Sequence, residues 1–379
     1  MTSKSAAKAT NGLTVDFQRI TNTKAVEKDW VRLEQQVRPG FFASWPWIET
    51  LISRSSKAAF CTRIYDGSKN LVAMGMLGSG TEKRHGFLVS RQLRLNEAYC
   101  TNEWAPGEYT ALLAESSVLA KATETLFAAL KDRSESVPKW DELVFTDLDP
   151  NYFSTLSKIG RRIHLRALRP TYCVNLAALK TANDLTPLSF AKTLGKSTRA
   201  QLSRSIRLFE ASEPVQVERA TSPSEAQTYF DALAELNDLK QRSTGGVGIA
   251  RRKALTRFHA HLIAKHYTTG TFDLWRIRAG DQLIGFIYCV LEAKRALFYA
   301  GGFKPYADNR LKPGLTAHAA VLCHYANAGY DEYDFLAGDA RYKRNLGAPR
   351  ATLHSIALQR LRPGLMAEAT ARGFRNRFR

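Results

Sequence analysis

Two hydrophobic periods take turns along this chain. Runs with every second residue apolar alternate with runs in which apolar residues recur at helical spacing, and turn-forming residues separate them. In the first half, strands are predicted over residues 13–20, 60–65, 71–77 and 140–148, with another ending near Cys100. Helices are predicted over 24–37, from Ser44 with Pro46 in its first turn, from Ala105-Pro106-Gly107 to about Leu130, and over 152–159. Residues 162–176 read as extended. The second half predicts a helix over 198–210, a strand over 215–218, a helix over 222–239 with Ser222 as its cap, and a helix over 251–266. A hairpin over 272–277 and 283–291 follows, turning at Ala279-Gly280-Asp281, then a strand over 295–301. A helix opening at Pro313-Gly314, a strand ending near Phe335, a short helix and a last strand over 352–358 complete the chain.

The two halves echo each other. Pro106-Gly107, a helix and Trp140-Asp141-Glu142-Leu143-Val144-Phe145 parallel Pro313-Gly314, a helix and Tyr330-Asp331-Glu332-Tyr333-Asp334-Phe335. This predicts two related α/β domains, 13–180 and 181–360, each a mixed twisted sheet flanked by helices. A disordered lead-in (1–12) precedes them and a basic tail (361–379) follows. Asp339, Tyr342 and Lys343 follow the second of the two matching strands, whereas the first ends in Thr146, Asp147, Leu148 and Asp149 without a Tyr-Lys pair. The chemistry is therefore expected in the second domain.

The chain's 379 residues suit two cores, and its net charge of +20 changes the picture of its partners. Such a surplus of cations calls for an anionic partner: nucleic acid, a membrane surface, or a phosphorylated ligand such as coenzyme A. The five cysteines are scattered, odd in number and free of any CxxC pair. They read as reduced core thiols of a cytoplasmic protein, including one peripheral to the inner face of the membrane, and no metal site is expected. The longest apolar run, residues 283–291, is too short to cross a bilayer. In the tail, Leu365, Met366, Phe374 and Phe378 mix with Arg372, Arg375, Arg377 and Arg379, a composition suited to anionic lipid, to RNA phosphates or to simple solvation. Arg162, His164 and Arg166 share one face of a predicted strand.

The densest chemistry lies in Tyr333-Asp334-Phe335-Leu336-Ala337-Gly338-Asp339-Ala340-Arg341-Tyr342-Lys343. It resembles the DFLxGDxxYK signature of the cellulose-biosynthesis-associated (CelD/BcsL-type) acyltransferases of the GNAT superfamily, which are related to the Fem-type aminoacyltransferases. The order of elements over 272–358 and the Arg-rich helix over 196–207 are similar to that family too. The resemblance implies two tandem GNAT-like domains and an acyl donor, acyl-CoA, as co-substrate. It also implies an amine or hydroxyl acceptor on an envelope polysaccharide, lipid or peptide precursor. Two departures stand out. Ala337 occupies the place of the family's usual Arg. No Gln/Arg-x-x-Gly-x-Gly/Ala pyrophosphate signature is evident, and Arg242-Ser243-Thr244-Gly245-Gly246-Val247-Gly248 reads as an acceptor-side loop.

Acyl transfer needs a base, an oxyanion donor and a proton for the leaving group. Asp339 is the candidate base or acceptor orienter, Lys343 the donor to the oxyanion or to a phosphate, Tyr342 the acid, and Asp334 a further carboxylate facing the cleft or solvent. Alternatively, Asp339 caps the short helix and pairs with Lys343. Gly301, Gly302, Lys304, Arg310, Lys312 and Gly314 are expected to receive the donor's phosphates at a helix N-terminus. Arg199, Arg242 and His318 are candidate acceptor contacts. An aminoacyl-tRNA donor, or a non-catalytic role in binding RNA or membrane, remains the alternative.

Overall fold

The computed structural model describes residues 12–100, 103–104, 107–131, 137–159, 163–179, 184–211 and 213–377. The predicted lead-in and Arg162 lie outside them, as do the tail side chains from Arg372 onward. Two compact units form: residues 1–168 with 352–379, and residues 169–351.

In chain order the elements are β1 (Thr14–Arg19), α1 (Thr23–Val37), α2 (Trp45–Arg54), β2 (Ala59–Tyr65), β3 (Leu71–Arg84), β4 (Leu88–Leu95), β5 (Tyr99–Cys100), β6 (Glu103–Trp104), β7 (Leu113–Ala114), α3 (Ser116–Lys131), β8 (Glu142–Leu148), α4 (Pro150–Ile159) and β9 (Ile163–Asn175). There follow α5 (Pro187–Lys192), α6 (Lys196–Phe209), β10 (Val215–Arg219), α7 (Pro223–Ser243), α8 (Lys253–His266), β11 (Phe272–Ala279), β12 (Gln282–Glu292), β13 (Arg295–Phe303), α9 (Pro313–Asn327), β14 (Glu332–Ala337), α10 (Arg341–Leu346), β15 (Ala348–Gln359) and α11 (Pro363–Arg377).

Within the first unit the strands run β1-β2-β3-β4-β8-β15; within the second they run β10-β11-β12-β13-β14-β9. Each mixed sheet is antiparallel except at one parallel pair, β4 with β8 and β13 with β14. The parallel registers coincide at the echoed residues. Gln92, Leu93 and Arg94 oppose Glu142, Leu143 and Val144. Arg295, Ala296 and Leu297 oppose Glu332, Tyr333 and Asp334. The sequence echo is thus an echo of pairing. The last strand of each sheet comes from the other half of the sequence: residues 354–359 pair with β8, and residues 171–175 pair with β14. Chain order and compact unit therefore differ from a division at residue 180, because long-range pairing assigns a strand to its sheet.

The local signals act as their chemistry dictates. Ser222 caps α7 by accepting the Glu225 N–H at 3.2 Å, and Glu225 accepts from the Thr221 N–H at 2.8 Å. Pro313 does open α9, but α3 starts at Ser116, well after Pro106-Gly107. Trp45 and Trp47 are core residues. The second unit's core packs Leu202, Ile206 and Phe209 of α6 with Trp275, Ile287, Phe298, Tyr333 and Phe335 of the sheet and with α9.

Gly302 shows why a side chain is excluded beside α7. A Cβ there would lie 2.3 Å from the Leu233 carbonyl oxygen and 2.9 Å from Leu233 Cα. Backbone cannot yield as a side-chain tip would, so Gly302→Ala is expected to lose roughly 1–3 kcal/mol, the usual scale of overpacking. Urea unfolding of the variant beside wild type measures it.

Candidate active site

The site grows out of the β13–β14 ladder. Its pairing holds from Arg295 to Leu297 and then ceases, although β13 runs on to Phe303 and β14 to Ala337. The two strands splay. Past the last pair, β14 also departs from β9: the register jumps from Asp334 opposite Cys173 to Ala337 opposite Thr171. Leu336 sits in that bulge with a left-handed φ of 57°, which a leucine adopts only when its surroundings enforce it.

The enforcing groups are visible. Asp334 Oδ1 accepts the Leu336 N–H at 2.7 Å, and the Lys343 ammonium donates to the Leu336 and Ala337 carbonyls at 3.1 and 2.8 Å. Asp334 is 0% exposed and pairs with Arg295 at 2.7 Å. It neither lines an open cleft nor meets solvent, contrary to the sequence expectation. The bulge breaks the alternation that placed it, and Tyr333, Asp334, Phe335 and Leu336 are all buried.

Asp339 and Lys343 do not pair. Helix α10 begins at Arg341 with Ala340 as its cap residue, so the four-residue spacing falls outside the helix and Asp339 caps nothing. The exposed Asp339 carboxylate accepts the Tyr172 hydroxyl at 2.8 Å and the Arg344 guanidinium. These two hydrogen bonds hold its carboxyl below the usual carboxylate range. Lys343 is 7% exposed, its ammonium turned onto the strand end.

Under the splay lies His318 of α9, 1% exposed. Its Nδ1 is 3.2 Å from the Tyr333 hydroxyl, and its ring stacks on Tyr342 with centroids 5.1 Å apart and planes 14° apart. Burial, with the cations of Lys343 and Lys240, pushes this imidazole down to about 3, so it is neutral at neutral pH. Burial pushes the Tyr342 phenol well up, so it keeps its proton. Phe298, Phe303 and Phe335 complete the aromatic surroundings of His318.

The expected phosphate residues divide. The close approach of Gly301 and Gly302 is to α7: Asn237 Nδ2 donates to the Gly301 carbonyl at 3.1 Å, and Gly302 abuts Leu233. Arg310 forks onto Asp308 at 2.8–3.0 Å, so an anion there would compete with a carboxylate. Lys304 is exposed, its ammonium 5.7 Å from the Tyr306 ring centroid. Lys312 precedes Pro313, and its N–H donates to Ser205 Oγ at 2.8 Å. Gly314 lies in the first turn of α9, which no side chain caps. Of the acceptor candidates, Arg242 pairs with Asp238 at 2.7 Å and Arg199 is exposed on α6. The 242–248 loop folds onto α7, where a Cβ on Gly248 would lie 2.3 Å from Asp238 Cα.

Sequence reasoning missed Tyr172, Arg295, Tyr333 and Arg344. Tyr172 lies 167 residues from the aspartate it touches. Arg344, five residues from Asp339, was visible, but the helical spacing favoured Lys343 instead.

Residues 196–344 match the family described as the acetyltransferase (GNAT) domain. This span contains α6, the splay, α9 and the start of α10, and the second unit has a GNAT-like fold. No curated protein sequence matches the chain. Among solved structures, FemX resembles it with a TM-score of 0.57 at 10% identity, over 91% of this chain and 97% of that one. L-PGS from Bacillus licheniformis resembles it with a TM-score of 0.53 at 10% identity, over 91% and 95%. The C-terminal domain of a putative lysylphosphatidylglycerol synthetase from Agrobacterium fabrum resembles it with a TM-score of 0.51 at 12% identity, over 92% and 95%. At such identities the likeness is one of fold.

Among the described residues no group of side chains could hold a metal ion, and no helix is long and apolar enough to cross a membrane.

Proposed function

We propose that the second unit transfers an acyl group from acyl-CoA to an amine or hydroxyl on an envelope polysaccharide, lipid or peptide precursor. One observation carries this reading: two parallel strands part over an aromatic floor, beside a helix whose first turn has no side-chain cap. The parted strands offer a slot for a thioester, and the helix end offers N–H groups and a positive dipole to phosphate. Lys304, Lys312 and the Gly314 N–H would receive the phosphates. Tyr342, a phenol that keeps its proton, would hydrogen-bond the departing thiolate, which takes up the proton that the acceptor's nitrogen or oxygen loses as the new acyl bond forms and the thioester C–S bond breaks. Lys343 would act through the backbone by holding the Leu336–Ala337 strand end. Asp339, a lowered and paired carboxylate, is a poor base and would orient the acceptor together with Tyr172.

A second reading has its own observation. On α6, Lys196, Arg199, Arg204 and Arg207 are exposed, and the helix contains no acidic residue. Such a stripe suits a polyanion and supports an aminoacyl-tRNA as donor. The fold likeness to FemX is in keeping with it.

The melting temperature separates the two donors. Acyl-CoA at a hundredfold over Kd is expected to stabilise the protein by about 2.7 kcal/mol. Stabilisation by charged tRNA alone would favour the second reading. No response to short, medium or long acyl-CoA or to charged tRNA would remove both.

A further inference from the structure

The first unit carries a cleft of its own, of about 830 Å³, lined by Arg91, Lys139, Arg360 and Arg362 together with Leu130 and Leu361. It lies ahead of the β4–β8 ladder, where Arg91 and Asp141 precede the Gln92–Glu142 pair. The splay, by contrast, begins past the end of a ladder.

Among the described residues its only lining carboxylate, Asp141, is already committed. Asp141, 1% exposed, accepts from Arg91 Nη2 at 2.7 Å, Arg91 Nε at 3.1 Å and Arg362 Nη1 at 2.5 Å. This aspartate fixes two guanidinium groups without exhausting them. Among the described residues Arg91 makes no hydrogen bond through Nη1, and Arg362 makes none through Nε or Nη2, while their side chains are 46% and 45% exposed. Arg360 is held by the Leu130 carbonyl at 2.7 Å and lies 4.2 Å over the Trp140 ring. Lys139 is exposed and makes no ion pair with the described residues. Four cations thus face one neutralised carboxylate, and the guanidinium donors are oriented before any ligand arrives, which lowers the entropic cost of binding. Guanidinium forks match phosphate oxygens in geometry as well as charge. Beside them Leu361 leaves 64% of its surface exposed, an apolar wall for a ligand.

We propose that this cleft binds a phosphate monoester or diphosphate attached to an apolar group, with the phosphate on Arg91, Arg362 and Lys139 and the apolar part along Leu361. The ligand's source is either a lipid headgroup in a bilayer or a free phosphorylated molecule. The site is independent of the acyl donor in the second unit.

Calorimetric titration of the full chain tests it, with pyrophosphate and with dihexanoyl phosphatidate below its micelle concentration. Both are expected to bind saturably, the phosphatidate more tightly. Lys139→Glu, an exposed change that leaves the Asp141 pairs intact, is expected to weaken both by about tenfold or more. Leu361→Ser is expected to reduce phosphatidate affinity towards that of pyrophosphate and to leave pyrophosphate unchanged. Lys304→Glu in the second unit, which bears on the acyl donor's phosphates, is expected to leave the Lys139-dependent phosphatidate binding unchanged. Sedimentation with phosphatidylglycerol vesicles assigns the source: retention lost in Lys139→Glu places the ligand in a bilayer, and no retention makes it a free molecule. Absence of saturable binding to wild type, or binding to Lys139→Glu equal to wild type, would overturn the proposal.

Discussion

Glu142→Ala is expected to destabilise the first unit by about 3–5 kcal/mol, the scale of breaking a buried ion pair from one side. Glu142 is 0% exposed. Its carboxylate accepts from Arg84 Nη1 at 2.9 Å, Ser90 Oγ at 2.5 Å, and Gln92 and Gln359 side-chain amides at 3.0 and 2.9 Å. Truncation would leave all four donors without this acceptor and the Arg84 charge partly uncompensated. The same contacts set an acid limit. Burial alone would raise this carboxyl, but Arg84, Ser90, Gln359 and Gln92 more than offset it and hold it at about 2, against an ordinary 4.5. A group depressed by folding stabilises fully above its unfolded value and progressively less below it. That contribution, roughly 3 kcal/mol, is therefore present above about pH 4.5 and lost as pH falls towards 2. Urea unfolding of wild type and Glu142→Gln between pH 7 and pH 3 measures both effects. A wild-type stability curve that the variant matches in height and slope would contradict them.

The second large effect is at Lys343. Lys343→Ala is expected to lower turnover, followed as thiol release from acyl-CoA, by about a hundredfold, the scale of a small misplacement near reacting atoms. The argument runs through backbone. Leu336 holds a left-handed φ that its own side chain disfavours, and two of the groups that enforce it are the Lys343 ammonium and Asp334. Without the ammonium, the strand end bordering the splay loses two charge-assisted hydrogen bonds and is free to relax. A stability loss of roughly 1–3 kcal/mol should accompany the loss of turnover. Lys343→Arg, which keeps donors and charge, should recover part of both. A stable Lys343→Ala protein with wild-type turnover would separate the strand end from the chemistry.

How much of this was legible beforehand depends on the range of the interaction. Local signals told most about elements: the Ser222 cap, the turn at Ala279-Gly280-Asp281 and Pro313 all do what their backbone chemistry requires. The helix expected from Pro106-Gly107 was extended too far, because an Ala/Leu-rich composition marks a helix but not its first residue. The residues after Phe335 pointed to the candidate site, but not to its internal geometry. Asp334 was given an open position because strand alternation cannot register a bulge. Asp339 and Lys343 were placed on one helical face because α10 could not be seen to start as late as Arg341. The partner of Asp339 is a tyrosine on β9. Nothing in a linear spacing brings that strand beside β14, and the same long-range pairing decides which unit each last strand joins.

The central claim is that an acyl donor lies in the splay of the second unit. Hydrogen exchange of the full chain, with and without saturating acyl-CoA, tests it most directly. Bound donor should protect residues 298–303 of β13, where ladder pairing to β14 has ceased, and residues 314–318 at the start of α9, and it should leave the paired strands β1 and β2 unchanged. Saturable acyl-CoA binding with no protection in those two segments would contradict the account.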